Sequence, residues 1–366
     1  MAYNSTKEPR LRDTFKEDFR RKDLFQTLKR EFKELAQFFL DDEKKDELKR
    51  MGIIKRYLYM TWWLLKILFL RLTPLRRILL LIGVVLVLFS GTVSINNHVF
   101  VMNNSHILGG LLILFVLMME LKDKLLAKTE LQEGKAVQKA LMPVSNPEIH
   151  GWDICIKSFS ANDVGGDLID FFKISKSKYA LVLGDISGKG LGAALMMSKL
   201  QSTIRALYSE YERPELLVES VNRIFYRDSL PHQFASLIYM ELDTISNSLS
   251  IVNAGHMPPI IVRKNELETL KKGGIAIGLS HSSKYSSVLI NLNNNERIFI
   301  YSDGLTETMN EYNQLFGENR LKKILKKYIT LDSSSLIDKI LLNLDFFKGE
   351  APIHDDVSIL TLKREN

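Results

Sequence analysis

Five aspartates late in the chain have the types and spacing to do chemistry. Asp167 closes Val164-Gly165-Gly166-Asp167, Asp185 sits in Gly184-Asp185-Ile186-Ser187-Gly188-Lys189-Gly190, Asp303 sits in Ser302-Asp303-Gly304, and Asp355 and Asp356 are adjacent. Asp185 follows the apolar run Tyr179–Leu183, Asp303 follows Arg297–Tyr301, and the Asp355-Asp356 pair precedes Val357–Leu362, so these acids fall at the ends of predicted strands. Antiparallel strands laid side by side gather such ends at one edge, where carboxylates repel one another unless cations bind. All-oxygen donors select Mg²⁺ or Mn²⁺. Two such ions about 3.5–4 Å apart would bridge a hydroxide and stabilise in-line attack at phosphorus. The neighbouring glycines let the backbone approach and offer a main-chain carbonyl as ligand.

Each piece has a plainer reading. Asp-Gly is commonly a turn, and Gly165-Gly166-Asp167 has the opening of a diguanylate cyclase signature but continues with Leu168-Ile169. Gly184–Gly190 fails as a phosphate-binding loop because Gly190 follows Lys189 where Ser or Thr is needed. His256, in Asn253-Ala254-Gly255-His256-Met257-Pro258-Pro259, has two readings, proton donor or loop anchor. Lys189 likewise either contacts phosphate or caps a turn.

The elements that must position these residues begin near His150. Trp152, Ile154 and Ile156 alternate as in a half-buried strand, and Tyr179–Leu183 is fully apolar. Further strands are predicted at Phe234–Leu242, Leu249–Asn253, Ile260–Arg263, Val288–Leu292, Arg297–Tyr301 and Val357–Leu362, with a turn at Thr244–Asn247. Helical patterns occupy Gly192–Tyr208, Pro214–Phe225, Glu318–Tyr328 and Ser334–Leu342. This order predicts an α+β domain of antiparallel sheet covered by helices.

The chain's 366 residues are enough for more than one domain, and the single cysteine, Cys155, excludes an intrachain disulfide framework. The net charge of +7 is confined to the N-terminus: residues 1–77 hold 20 Lys+Arg and 12 Asp+Glu, leaving 30 against 31 in the remainder. A nucleic-acid-binding body is therefore not expected. Ile78–Met119 contains no charged residue over 42 positions, interrupted by Asn96-Asn97-His98, and reads as two membrane spans, Ile78–Ile95 and Val99–Met119. Arg76 and Arg77 on one side and Lys122, Lys124 and Lys128 on the other put both ends in the cytoplasm, the expectation being a multi-pass protein of the inner membrane with a cytoplasmic catalytic domain. Tyr57–Leu70, with Trp62, Trp63 and Lys66, reads as an interfacial helix on anionic lipid, a third span being the alternative. Phe25, Leu28, Phe32, Leu35 and Phe39 predict an amphipathic helix. Glu120–Leu141 reads as a connecting helix able to pair with its own copy, stopped by Pro143 and Pro147. The expected organisation is thus a basic helical region (1–77), a transmembrane hairpin (78–119), a helical linker (120–142) and a catalytic domain (143–366).

In order, Asp163-Val-Gly-Gly-Asp-Leu-Ile-Asp170, Gly184-Asp-Ile-Ser-Gly-Lys-Gly-Leu-Gly-Ala-Ala-Leu195, Asn253-Ala-Gly-His-Met-Pro-Pro259, Ser302-Asp-Gly-Leu-Thr-Glu307 and Asp355-Asp-Val-Ser358 resemble the motifs of PPM-type serine/threonine phosphatases, in their SpoIIE-like, RsbU-like bacterial branch. Gln138-Lys-Ala-Leu-Met-Pro143 resembles the linker ending of that branch. The resemblance covers about residues 138–362 and implies an αββα sandwich of two antiparallel sheets. It implies a pair of Mn²⁺ or Mg²⁺ ions: Asp185 bridging both, Asp303 and Asp355 completing the first, and the Ile186 carbonyl and Asp167 serving the second, with Asp356 a further candidate ligand. It implies hydroxide attack on phosphoserine or phosphothreonine without a phosphoenzyme, on a substrate like the anti-sigma-factor antagonists of partner switching. Asp163 stands where the family has Glu. The phosphate-gripping Arg of eukaryotic relatives has no counterpart, Lys157 being the sole basic residue between Trp152 and Gly166. The competing expectation is a membrane scaffold with an inactive phosphatase fold.

Overall fold

The computed structural model describes residues 39–88, 92–95, 98–101, 105–143, 146–264 and 266–365. The amphipathic helix expected from Phe25 lies outside the described residues but for its last position. The chain divides between Leu125 and Leu126 into two units.

In the C-terminal unit two five-stranded antiparallel sheets form, one ordered β10-β7-β6-β5-β4 and the other β3-β12-β11-β8-β9. The strands are β3 (Trp152–Phe159), β4 (Asp167–Lys173), β5 (Lys178–Ile186), β6 (Ala235–Asp243), β7 (Ser248–Ala254), β8 (Ile260–Arg263), β9 (Glu266–Thr269), β10 (Ser287–Asn291), β11 (Arg297–Tyr301) and β12 (Val357–Arg364). The helices of this unit are α5 (Leu191–Leu207), α6 (Pro214–Asp228), α7 (Asp303–Glu307), α8 (Gly317–Lys327) and α9 (Ser333–Lys348), after the unit's opening stretch of α4 (Ser105–Leu141).

Strand alternation explains the layering. In β5, Ala180 and Val182 enter a core shared with α5 and α6, while Leu181 and Leu183 enter the core between the sheets. In β11, Ile298 and Ile300 join the inter-sheet core and Phe299 and Tyr301 face α8 and α9. A strand buried on both faces reads as a continuous apolar run, which is why these two were visible in the sequence. Three apolar cores between four layers make the αββα sandwich. α5 packs through Ala193, Met197, Leu200 and Ile204, at helical spacing. α6 starts with Pro214, and α9 is capped by Asp332, whose carboxylate accepts from Ser335 N at 2.7 Å. Cys155 is buried as a free thiol.

The N-terminal unit is helical, with α1 (Asp42–Lys49), α2 (Ile53–Arg71), α3 (Pro74–Leu88) and the first part of α4, and a short hairpin of β1 (Thr92–Ile95) and β2 (His98–Val101) lies between α3 and α4. α2 is longer than the Tyr57–Leu70 helix expected. The two expected spans fall on unequal helices: α3 has 15 residues, and α4 runs on from its apolar half into the linker as one helix of 37. Among the described residues α4 is the one helix long and apolar enough to cross a membrane. The shortfall in α3 arises because the chain turns into extended hairpin from Thr92, where β-branched and polar residues replace the Leu-rich run.

α3 and α4 meet at glycines. A Cβ on Gly109 would lie 2.5 Å from the Gly83 carbonyl oxygen, and one on Gly83 would lie 3.0 Å from that of Gly109. Outward from this contact, Leu81, Ile82, Val85, Leu108, Leu111, Leu114, Phe115 and Met118 are exposed. Arg76 clamps the base of the pair, donating to Glu120 (2.5 Å) and Asp123 (2.6 Å).

Candidate active site

The predicted acids come together at one edge of the two sheets. β4 and β5 pair so that Asp167 stands directly opposite Asp185, an arrangement that puts Cβ atoms within about 5.5 Å and sets like charges against each other. In the second sheet Ser302 at the end of β11 and Ser358 at the start of β12 exchange bonds: Ser302 N donates to Ser358 O and Ser358 N to Ser302 Oγ, each at 2.9 Å. Ser302 Oγ donates in turn to Asp356 O at 3.1 Å. Asp303 then opens α7 beside the Asp355-Asp356 pair. Gly304 is needed for this approach, since a Cβ there would stand 2.1 Å from the Asp356 carbonyl oxygen.

The electrostatics record the crowding. Asp167 is buried, its Oδ2 has no hydrogen-bond partner, and burial pushes its pKa well above the carboxylate range, with the charges of Asp185 and Asp356 pushing the same way. Asp185 is pushed up to about 7 by burial and then by Asp303, Asp355 and Asp356. Asp303 is raised by burial and by Asp355. A buried carboxylate with an orphaned oxygen, facing others that resist ionisation, is a site short of positive charge.

The donors fit divalent cations of the Mg²⁺ or Mn²⁺ kind, being all oxygen and partly desolvated. The Ile186 carbonyl faces the same space, 3.2 Å from where a Gly166 Cβ would be. Among the described residues no three His, Cys, Asp or Glu side chains close round a single point.

Asp356 differs from the others. Its Oδ1 accepts from Ala161 N at 2.8 Å, and its Oδ2 accepts from Gly166 N at 2.6 Å and Asp167 N at 3.4 Å. Its oxygens are engaged in holding the loop that presents Asp167. Asp163 is exposed on that loop. Asp170, at the far end of the same motif, is buried and bound twice by Arg205, at 2.7 and 2.6 Å.

His256 resolves to the loop anchor. It is buried, its Nε2 donates to the Tyr301 carbonyl at 3.1 Å, and Nδ1 therefore accepts from Ser236 Oγ at 2.7 Å. Burial pushes its pKa down to about 4, so it is a neutral strut between the sheets rather than an acid. Lys157 is engaged by Asp338 on α9.

Sequence reasoning missed Gln138. This buried α4 side chain grips Gly165 from both sides: Nε2 donates to Gly165 O at 2.6 Å, and Gly165 N donates to Oε1 at 3.1 Å. A Cβ on Gly165 would lie 2.6 Å from Asp356 Oδ2. Nearby, Gln201 of α5 donates to Leu141 O at 2.8 Å. The linker ending is thus wired to the loop carrying Asp167. The signal available was a polar residue three positions before the helix end, inside the linker motif.

The family model for stage II sporulation protein E (SpoIIE) matches residues 175–365, a little over half of the chain. Protein IcfG of Synechocystis is 26% identical over 268 residues, covering 66% of this chain and 41% of its own length. Phosphoserine phosphatase RsbU of Bacillus subtilis is 25% identical over 243 residues, covering 65% of this chain and 71% of RsbU. The chain therefore spans less than half of the first relative and under three quarters of the second. Among solved structures, the SiaA-PP2C domain of Pseudomonas aeruginosa superimposes with a TM-score of 0.59 at 19% identity, over 66% of this chain and 98% of that domain. The fold is that of PP2C phosphatases.

Proposed function

The chain belongs to the SpoIIE family and carries its PP2C-type phosphatase domain, and from that premise we propose a metal-dependent serine/threonine protein phosphatase held at a membrane. The observation that carries the reading is the Asp167–Asp185 pair, set face to face across β4 and β5 with one oxygen unpartnered. Asp185 would serve both ions of a Mn²⁺ or Mg²⁺ pair. Asp303 and Asp355 would hold one, and the Ile186 carbonyl and Asp167 the other. Asp356 is read instead as fixing the Ala161–Asp167 loop, a reading supported by its bonds to Ala161 N and Gly166 N. When bound, the ions acidify water and neutralise charge on the phosphoryl group. The chain's own residues fix where this happens: the serine lattice between β11 and β12 sets Asp303 against Asp355, and the register of β4 on β5 sets Asp167 against Asp185.

The substrate class is phosphoserine or phosphothreonine on a regulatory protein resembling an anti-sigma-factor antagonist, supported by the relation to RsbU, a phosphoserine phosphatase. The apolar half of α4 enters the bilayer with α3 beside it, supported by the glycine contact and the apolar exterior of both helices. Basic residues at 76, 77, 122, 124 and 128 keep the catalytic unit in the cytoplasm. The linker at residues 120–142 pairs with its copy in a homodimer and reports its geometry through Gln138.

The test is phosphate release from a phosphoserine peptide by the full-length chain in detergent. Release that requires Mn²⁺ or Mg²⁺ and disappears in Asp303→Asn supports the proposal; no release with either metal defeats it. The same Asp303→Asn chain should retain its phosphorylated client in a pull-down.

A further inference from the structure

A phosphomonoester dianion entering a ring of aspartates needs positive charge from the protein as well as from ions. The side chains able to give it are mostly committed elsewhere. Lys157 is bound to Asp338, Arg205 to Asp170, Lys199 to Asp228 and Lys284 to Glu219. Among the described residues, the one cation in an ion pair with an acid of the cluster is Lys189, whose Nζ lies 3.1 Å from Asp355 Oδ2 and donates to His354 O at 2.6 Å.

Three features suit Lys189 to a mobile ligand rather than to scaffolding. Its side chain is 53% exposed. An ammonium has three donors, and two are accounted for, leaving one to offer. It stands between Gly188 (φ 102°) and Gly190 (φ 74°), and a Cβ on either glycine would meet nothing within 4 Å, so the loop borders open space. Its charge also reaches Asp185 and Asp303, where it opposes the effect of the neighbouring acids. Resting on the phosphatase reading, we infer that Lys189 binds the phosphoryl group of the substrate, exchanging its contact with Asp355 for one with a phosphate oxygen. A compact ammonium recognises phosphate as a point charge, without the fork geometry of arginine. Lys189 thereby fills the role for which the sequence offered no arginine.

The test uses the full-length chain in detergent with saturating Mn²⁺, p-nitrophenyl phosphate and a phosphoserine peptide as substrates, and inorganic phosphate as inhibitor. Lys189→Met should raise KM for both substrates about tenfold and weaken inhibition by inorganic phosphate in parallel, as loss of one charge-assisted bond would. Its kcat should stay within about threefold, and its Mn²⁺ affinity by electron paramagnetic resonance should be unchanged. Lys189→Arg should recover most of the lost KM, because the charge is restored. An unchanged KM overturns the inference, as does a fall in Mn²⁺ affinity at constant KM, which would make Lys189 a prop for Asp355. A parent chain with no Mn²⁺-dependent hydrolysis fails earlier, defeating the phosphatase reading and this inference together.

Discussion

The two units of this chain are built to opposite rules. In the catalytic unit apolar side chains fill three cores and the charges that matter stand at a sheet edge. In the α3–α4 pair glycine meets glycine, while leucine, valine and phenylalanine face outward. Burying apolar area is the driving force where water is the solvent. In the bilayer proposed for this pair that force would vanish, and close backbone packing would take its place. The difference teaches that each unit should answer to different perturbations: the catalytic unit to charge, the N-terminal unit to side-chain volume at two glycines.

The sharpest way to break the comparison is to separate the units. A fragment of residues 126–366 should lose membrane association altogether while the full chain floats with vesicles, measured by density-gradient flotation. Next in size is Asp185→Asn, which should lower phosphate release by about 10³-fold, in the range of removing a principal electrostatic element. The same change should raise the melting temperature of metal-free protein by a few degrees, since it relieves repulsion across β4 and β5. Activity and stability moving in opposite directions would mark the cluster as a site held against its own charge.

Gln138→Ala tests the link between linker and site. It leaves the Gly165 backbone groups unpaired and should cost about 1–3 kcal/mol in the catalytic unit, read by chemical denaturation, with weaker Mn²⁺ binding. Gly109→Leu tests the other unit. The added side chain cannot fit 2.5 Å from the Gly83 carbonyl, so the helix pair should loosen, seen as a lower melting temperature in detergent, while KM for a phosphoserine peptide stays unchanged.

Much of the catalytic fold was legible because fully buried strands advertise themselves. The β8 and β11 boundaries agree with the pattern, and α6 starts at the expected Pro214. β4 was not legible as a strand: Asp-Leu-Ile-Asp-Phe-Phe-Lys lacks clean alternation, and its two aspartates look like loop chemistry. Consequently Asp167 was visible as a candidate but its position opposite Asp185 was not, since register is decided by partners far away in sequence. Asp356 was grouped with the ligands because adjacency hides direction; only the fold shows its oxygens turned to the Ala161–Asp167 backbone. β9 was missed because it is mostly exposed and lacks the apolar run that revealed the equally short β8, and α7 because it is a single short turn of five residues. In the N-terminal unit composition revealed the apolar stretch, but the lengths of α3 and α4 depend on where the hairpin begins.

A smaller effect follows from the acidity of Asp185. Its carboxyl titrates near 7 in the fold, above the ordinary value near 3.9, so the folded state binds the proton more tightly than the unfolded one. This residue's contribution to the stability of metal-free protein should therefore decline as pH rises from about 4 through 7. Melting curves with chelator should show that decline, and saturating Mn²⁺ should remove it.

The most direct measurement is calorimetric titration of the purified full-length chain with Mn²⁺, beside Asp185→Asn. Saturable binding with proton release in the parent, lost in the variant, is the result predicted for a cation site at the sheet edge. Equal binding by both, or none by the parent, would contradict it.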